Sequence, residues 1–350
     1  MTGDRPQSGG RTDDEQVRTP TSQASRRLVL AAGAALAPIL AGAGPARAAT
    51  TAPERTTPDP CGGRHALVHP ATTSEADWED VVDVLQHRGR LAGNQVYRMG
   101  FLRQDLKVTS YGYSITPALG VGSFVSFLRY EDGKTMLMGD MAVTEREMQR
   151  VIDILDAHGI AQTAIHKHLL THDPAVWWMH IHGMHDDATY LAGALRSALG
   201  ATGTPPGNGV PEKKRLDLDT AGIDRALGAQ GDTEGDIYKV VFARNETVVD
   251  HDRVLPRMTG STTAISFQPV GKRKAIVNGD FVILAHEVQH VIRALRRGGI
   301  DVVSIHSHML TDDPRLFFLH FWGVGDGVRL ARALRAAVER TNVSAAVALG

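Results

Sequence analysis

The chain is poor in several things that would narrow its function quickly. It has one cysteine in 350 residues. That excludes an internal disulfide framework, a cysteine zinc finger and an iron–sulfur cluster. Aromatic residues make up only 5%. Neither sign of charge dominates: 38 Lys and Arg stand against 39 Asp and Glu, a formal net charge of −1. Nucleic-acid binders normally carry a basic excess, so no nucleic-acid partner is expected. There is no nucleophile elbow, no P-loop, and no apolar run long enough to make a good membrane span. What the chain does have is histidine, 16 in all.

The first 48 residues read as an export address. A polar lead ends in Ser25-Arg26-Arg27-Leu28, followed by the mildly apolar run Leu28–Gly44 and then Ala46-Arg47-Ala48. Paired arginines, a weak apolar core and a small-x-small cleavage pattern describe a twin-arginine (Tat) signal peptide. Residues 49–65 read as a disordered leader. Cys61 sits in that leader behind Thr57-Pro58-Asp59-Pro60, without the small residues of a lipobox. The mature chain is therefore expected to be soluble, extracellular or in the cell envelope, with no transmembrane span and no lipid anchor.

The remainder is one unit written twice. At an offset of 140, Ile165-His166-Lys167-His168-Leu169-Leu170-Thr171-His172-Asp173-Pro174 falls on Ile305-His306-Ser307-His308-Met309-Leu310-Thr311-Asp312-Asp313-Pro314. His180 falls on His320, Gly183 on Gly323, Gly139-Asp140 on Gly279-Asp280 and Glu147 on Glu287. Self-similarity over this length marks a duplication. The first repeat domain is placed at 66–200 and the second at 216–342. The Gly/Pro-rich stretch 201–215 reads as a linker.

Each copy reads as α+β. Short opening helices are expected at Trp78–His87 and Thr220–Leu227. Strands are expected at Val96–Leu102, Ser123–Tyr130 and Thr135–Met141, and in the second copy at Ile237–Ala243, Thr263–Val270 and Ala275–Leu284. Apolar spacing predicts helices at Glu145–His158 and Glu287–Arg297, the first opened by a Thr144–Glu147 capping box. Two strands, Ile160–Leu170 and Val176–His182, flank the Asp173-Pro174 turn. Closing helices cover Ala188–Leu199 and Val328–Glu339. Strands that neighbour each other in sequence imply mostly antiparallel sheets, each covered on one face by helices.

Nine of the histidines fall within the two matching windows. Residues i and i+2 of a strand share a face, so His166 and His168 do. Pairing about the turn would set His166 opposite His180, with His182 on the same face. The second copy offers His306, His308 and His320. Imidazoles this close are natural ligands for a transition metal, zinc above all. The carboxylates Asp140, Asp173, Asp280 and Asp313 can complete the shell or brace a histidine. The competing reading is a non-catalytic module of the cell envelope, or a binder of a small ligand, whose histidines only hydrogen-bond. A third reading rests on His286-Glu287-Val288-Gln289-His290, which spells the HExxH of zinc hydrolases. The first copy has Arg146-Glu147-Met148-Gln149-Arg150 there, so only the glutamate and glutamine are shared.

The repeated block IHxHxLxxDPxxxxxHxxG, preceded by Gly-Asp and a helix ending in Gly-Ile, resembles the exported actinobacterial family typified by the mycobacterial LppY and LpqO proteins. The resemblance spans both copies. It implies a duplicated domain and an exported location, but no reaction. Named members of that family are lipoproteins, and this chain departs from them in its Tat-like signal and missing lipobox.

Overall fold

In a computed structural model of the chain, residues 66–205 and 212–346 are described. The export signal, the leader with Cys61 and part of the linker lie outside them.

The first repeat opens with a short 3-10 turn, Glu75–Trp78. It continues through α1 (Glu79–Leu85), β1 (Arg90–Ala92), β2 (Val96–Leu102), β3 (Thr109–Ser110), β4 (Tyr113–Ser114), β5 (Gly122–Arg129) and β6 (Thr135–Thr144). Then follow α2 (Glu145–Asp156), β7 (Ala161–His166), β8 (His172–Asp173), β9 (Val176–His185) and α3 (Ala188–Gly200). The second repeat runs α4 (Thr220–Leu227), β10 (Asp232–Glu234), β11 (Ile237–Arg244), β12 (Val249–Asp250), β13 (Arg253–Val254), β14 (Thr262–Pro269) and β15 (Lys274–Leu284). It ends with α5 (Val288–Arg297), β16 (Asp301–His306), β17 (Asp312–Asp313), β18 (Leu316–Asp326), α6 (Gly327–Val338) and β19 (Val343–Ala346). The order of elements repeats, and the fold is the duplicated, mostly antiparallel α+β architecture that the sequence implies.

Each repeat builds one large antiparallel sheet, ordered β1-β2-β5-β6-β9-β7 in the first and β10-β11-β14-β15-β18-β16 in the second, where β19 also pairs β11, and one small three-stranded sheet, β4-β3-β8 and β13-β12-β17. Helices cover the outer face of each large sheet. Tyr97, Phe127, Leu137, Met141 and Ile181 pack there against Leu155, Leu191 and Leu195 of α2 and α3. In the second repeat Phe242, Phe267, Phe281 and Phe321 meet Leu295 and Leu334 in the same way. The Thr144–Glu147 capping box opens α2 as expected.

The other face of each sheet is covered by the other repeat. One mixed cluster joins Val96, Leu128 and Met138 to Val282, Leu316 and Phe318. A second joins Val121, Ala142 and Trp178 to Ile237, Ile276 and Trp322. The layers are thus helix, sheet, sheet, helix, and the described residues fall in a single compact unit. Strand β6 is buried along both faces for nearly its whole length, as a strand sandwiched between layers must be. Between the two mixed clusters runs a row of polar inner-face positions, and the histidines lie in it.

Candidate metal centre

The repeated hairpin is present in both copies, with two differences from the sequence-based picture. Strands β7 and β16 stop at His166 and His306, so His168 and His308 lie just beyond the strand ends. The register is also shifted by two: His166 pairs with Trp178 and Ala164 with His180, while His306 pairs with Phe318 and Ser304 with His320. A bulge at Thr163 and at Val303 lies beside these pairs. Because the shift is two residues and not one, every histidine keeps its face.

The histidines beyond the strands are fixed by the opposite repeat. Asn278 Nδ2 donates to the His168 carbonyl at 2.7 Å, and the Thr163 hydroxyl donates to the His308 carbonyl. The Gly-Asp motif has two parts. The Gly139 carbonyl lies 3.4 Å from His180 Nδ1 and the Gly279 carbonyl 3.2 Å from His320 Nδ1. A Cβ at Gly139 would sit 2.3 Å from the Phe124 carbonyl oxygen, so only glycine lets β6 run this close to β5. The next residue, Asp140, then faces the imidazoles.

Six histidines from the two repeats converge. His166 and His306 stack with ring centroids 3.7 Å apart, His180 and His308 at 3.8 Å, and His168 and His320 at 4.1 Å. His166 Nε2 lies 2.9 Å from His168 Nε2, and His306 Nε2 lies 3.0 Å from His320 Nε2. Tetrahedral zinc with Zn–N bonds of about 2.0–2.1 Å would set its ligand nitrogens roughly 3.3 Å apart. Two groups have ligand atoms mutually within 4.8 Å: His166, His306 and His320, and Asp140, His166 and His168. The first group draws on both repeats, and His166 belongs to both groups.

Burial disfavours the charged form of five of these rings. Burial, reinforced by the neighbouring imidazoles, drives His166, His180, His308 and His320 far below the usual histidine range. Burial brings His306 down to about 4. A neutral imidazole offers a lone pair, which is the form a metal binds. Several buried polar atoms have no hydrogen-bond partner: both carboxylate oxygens of Asp140, His166 Nδ1 and His180 Nε2. His168 Nε2 lies 3.2 Å from Asp140 Oδ2, but not in hydrogen-bonding geometry. Buried orphans of this kind cost roughly 1–3 kcal/mol each unless something satisfies them, and a cation would.

The remaining candidates are placed elsewhere. Asp173 and Asp313 are exposed, on the small ribbons where β8 pairs β3 and β17 pairs β12. Neither belongs to the converging groups. His172 braces its own turn, accepting from the Val176 N–H at 3.1 Å. Its counterpart Asp312 does the same for Leu316 at 2.7 Å, so the two different residues do one job. His182 is half-buried, 3.1 Å from His308 Nδ1 and 3.6 Å from Asp250. Asp250 is not marked in the sequence, because it lies in the two-residue strand β12, outside the repeated window. Asp280 shares the inner face, where burial raises it to about 6.

The HExxH reading fails on geometry. Glu287 is buried, and Arg244 donates to both its oxygens at 2.6 and 3.2 Å. It also accepts from the backbone of Leu284 and Asn342. Glu147 is held identically by Arg103. His286 precedes α5, and both it and His290 are exposed. The glutamate is a structural anchor with no free oxygen for a metal-bound water.

Fold and site together define a duplicated α+β protein whose repeats close on a shared, histidine-lined interface. The chain belongs to the family described as Domain of Unknown Function (DUF1259), whose model matches residues 79–201 and 221–340. No curated protein matches it. Among solved structures, a double-ringed trimeric shell protein from the RMM microcompartment aligns at 16% identity, covering 59% of this chain and 82% of that one, with a TM-score of 0.17. The trimeric bacterial microcompartment shell protein PduB aligns at 13% identity, covering 72% of this chain and 89% of that one, at 0.18. TM-scores this low carry no argument about fold or function. No helix among the described residues is long and apolar enough to cross a membrane.

Proposed function

We propose that the protein is exported, as its resemblance to LppY and LpqO implies, by the Tat route that its paired arginines and weakly apolar signal suggest, and that it binds a transition metal between its repeats. His166, His306 and His320 supply imidazoles, and Asp140 with His168 and His180 completes or orients the set. Zinc suits this donor set best, since it accepts neutral imidazole and carboxylate without a redox demand. The observation that carries the reading is the gathering of six imidazoles from both repeats, five of them buried, beside a carboxylate whose oxygens have no donor. A set of purely structural histidines would be expected to pair off those atoms.

Elemental analysis of full-length protein purified without a polyhistidine tag tests this. The expected result is metal near one equivalent per chain, lost in His166→Ala and in His306→Ala but kept in His290→Ala. Metal retained by both interface variants would overturn the assignment.

A further inference from the structure

The polar row does not end at the metal centre. Gly100 pairs with Phe124 and Phe124 with Asp140, so the row runs from the histidines across β6 and β5 to β2. Arg98 lies on the same face of β2, one pair along, opposite Ser126. Its guanidinium carbon lies 5.0 Å from the centre of the Phe124 ring. Arg98, Phe124, Lys239, Ala264 and Asp280 all occupy inner-face positions, yet each keeps some exposure. Gly100 is exposed, and a Cβ there would meet nothing within 4 Å. The sheets therefore leave an opening at this end of the row.

The two repeats differ there in a telling way. At the position matching Arg98 the second repeat has Lys239, and Lys239 is neutralised by Glu234 at 3.1 Å. Arg98 has no hydrogen bond or ion pair among the described residues; Glu234 and Asp280 are its acidic neighbours, too far to bond. A half-buried guanidinium resting on an aromatic ring with its donors unused is set up for a planar or tetrahedral oxyanion.

We propose that Arg98 is the anchor of a subsite for a small oxyanion, a carboxylate or a phosphate group, whose ligand enters past Gly100 and directs its far end toward Asp140 and the histidines. Cross-strand neighbours are about 5 Å apart, so two strand spacings, roughly 10 Å, separate Asp140 from Gly100 at the entrance, the length of a small metabolite. The subsite rests on the metal reading only for what lies at that far end.

Calorimetric titration of the full chain with inorganic phosphate, and separately with acetate, tests the proposal in zinc-loaded and in chelator-stripped protein. Saturable binding of one anion is expected, at least tenfold weaker in Arg98→Met and unchanged in Arg332→Met, a surface control. The tighter-bound probe identifies the anion as phosphate or carboxylate. Should Arg98→Met not fold, Arg98→Lys and Gly100→Phe replace it: a partial loss is expected for the first and a blocked entrance for the second. Anion binding equal in wild type and variants, or none in folded wild type, overturns the subsite. Arg98-dependent binding in a chain that holds no zinc supports the subsite and removes the metal reading. Stoichiometric zinc without Arg98-dependent binding does the reverse.

Discussion

Imidazoles packed ring on ring cannot all carry protons. Burial holds His306 at about 4 against an ordinary 6.5, and His166, His180, His308 and His320 lower still. The unfolded chain therefore binds more protons than the folded one as pH falls below 6.5. Stability from these rings is present above that value and is lost on acidification through the folded pKa. His306 alone would contribute ~2 kcal/mol less at pH 5 than at pH 7. Asp280, raised to about 6, works the other way, but the histidines outnumber it. Denaturant midpoints at pH 7.5, 6 and 5 should decline in that order, with metal released over the same range. Asp140→Asn gives a sharper check. It should weaken metal binding by about 10–100-fold, yet stabilise the chelator-stripped protein by about 1–3 kcal/mol, because it removes an unpaired buried carboxylate. Equal stabilities in chelator would argue that the carboxylate is satisfied without a metal. Most of these residues were legible from their spacing. Asp250, Asn278 and Arg98 were not, because each acts across the repeat interface and no local pattern marks it.

The longer helices and strands were legible to within a few residues, whereas the short strands β1, β3, β4, β8, β10, β12, β13, β17 and β19 were not. The α4 helix, Thr220–Leu227, and the β2 strand, Val96–Leu102, follow directly from apolar spacing. The strand end at His166 and the shifted register were not legible, since turn geometry fixes both and Ile165–Leu170 alternates plausibly to its end. The HExxH spelling misleads for a related reason. Its glutamate answers to Arg244, 43 residues away in sequence. Glu287→Ala should cost about 1–3 kcal/mol, because Arg244 keeps Glu246 but loses its second carboxylate and the Leu284 and Asn342 N–H groups lose their acceptor, and it should leave the metal content of the folded fraction unchanged. Metal loss specific to this variant would restore the hydrolase reading. Gly139→Ala should likewise destabilise, because β6 would have to move off the Phe124 carbonyl. Thermal unfolding would show it as a lowered midpoint.

The whole molecule is where the sequence was least complete. Each repeat reads as a sheet covered on one side, and nothing in its local pattern names what covers the other. Its partner is the other repeat, and the cue lay in β6, Thr135–Thr144, where the stretch is almost wholly apolar rather than alternating. Duplication thus does more than double a domain: neither repeat alone assembles the group His166, His306 and His320. The export address makes a separate claim. Replacing Arg26 and Arg27 together by Lys should hold the protein in the cytoplasm with its signal uncleaved; fractionation with immunoblotting reads this directly.

The most direct measurement is anomalous X-ray diffraction at the zinc edge from crystals of the tag-free chain. The account predicts a peak between the sheets, about 2.0–2.1 Å from imidazole nitrogens of both repeats, His166 among them. A zinc-replete protein whose peak lies at His286 and His290, or anywhere that one repeat could build unaided, would contradict it.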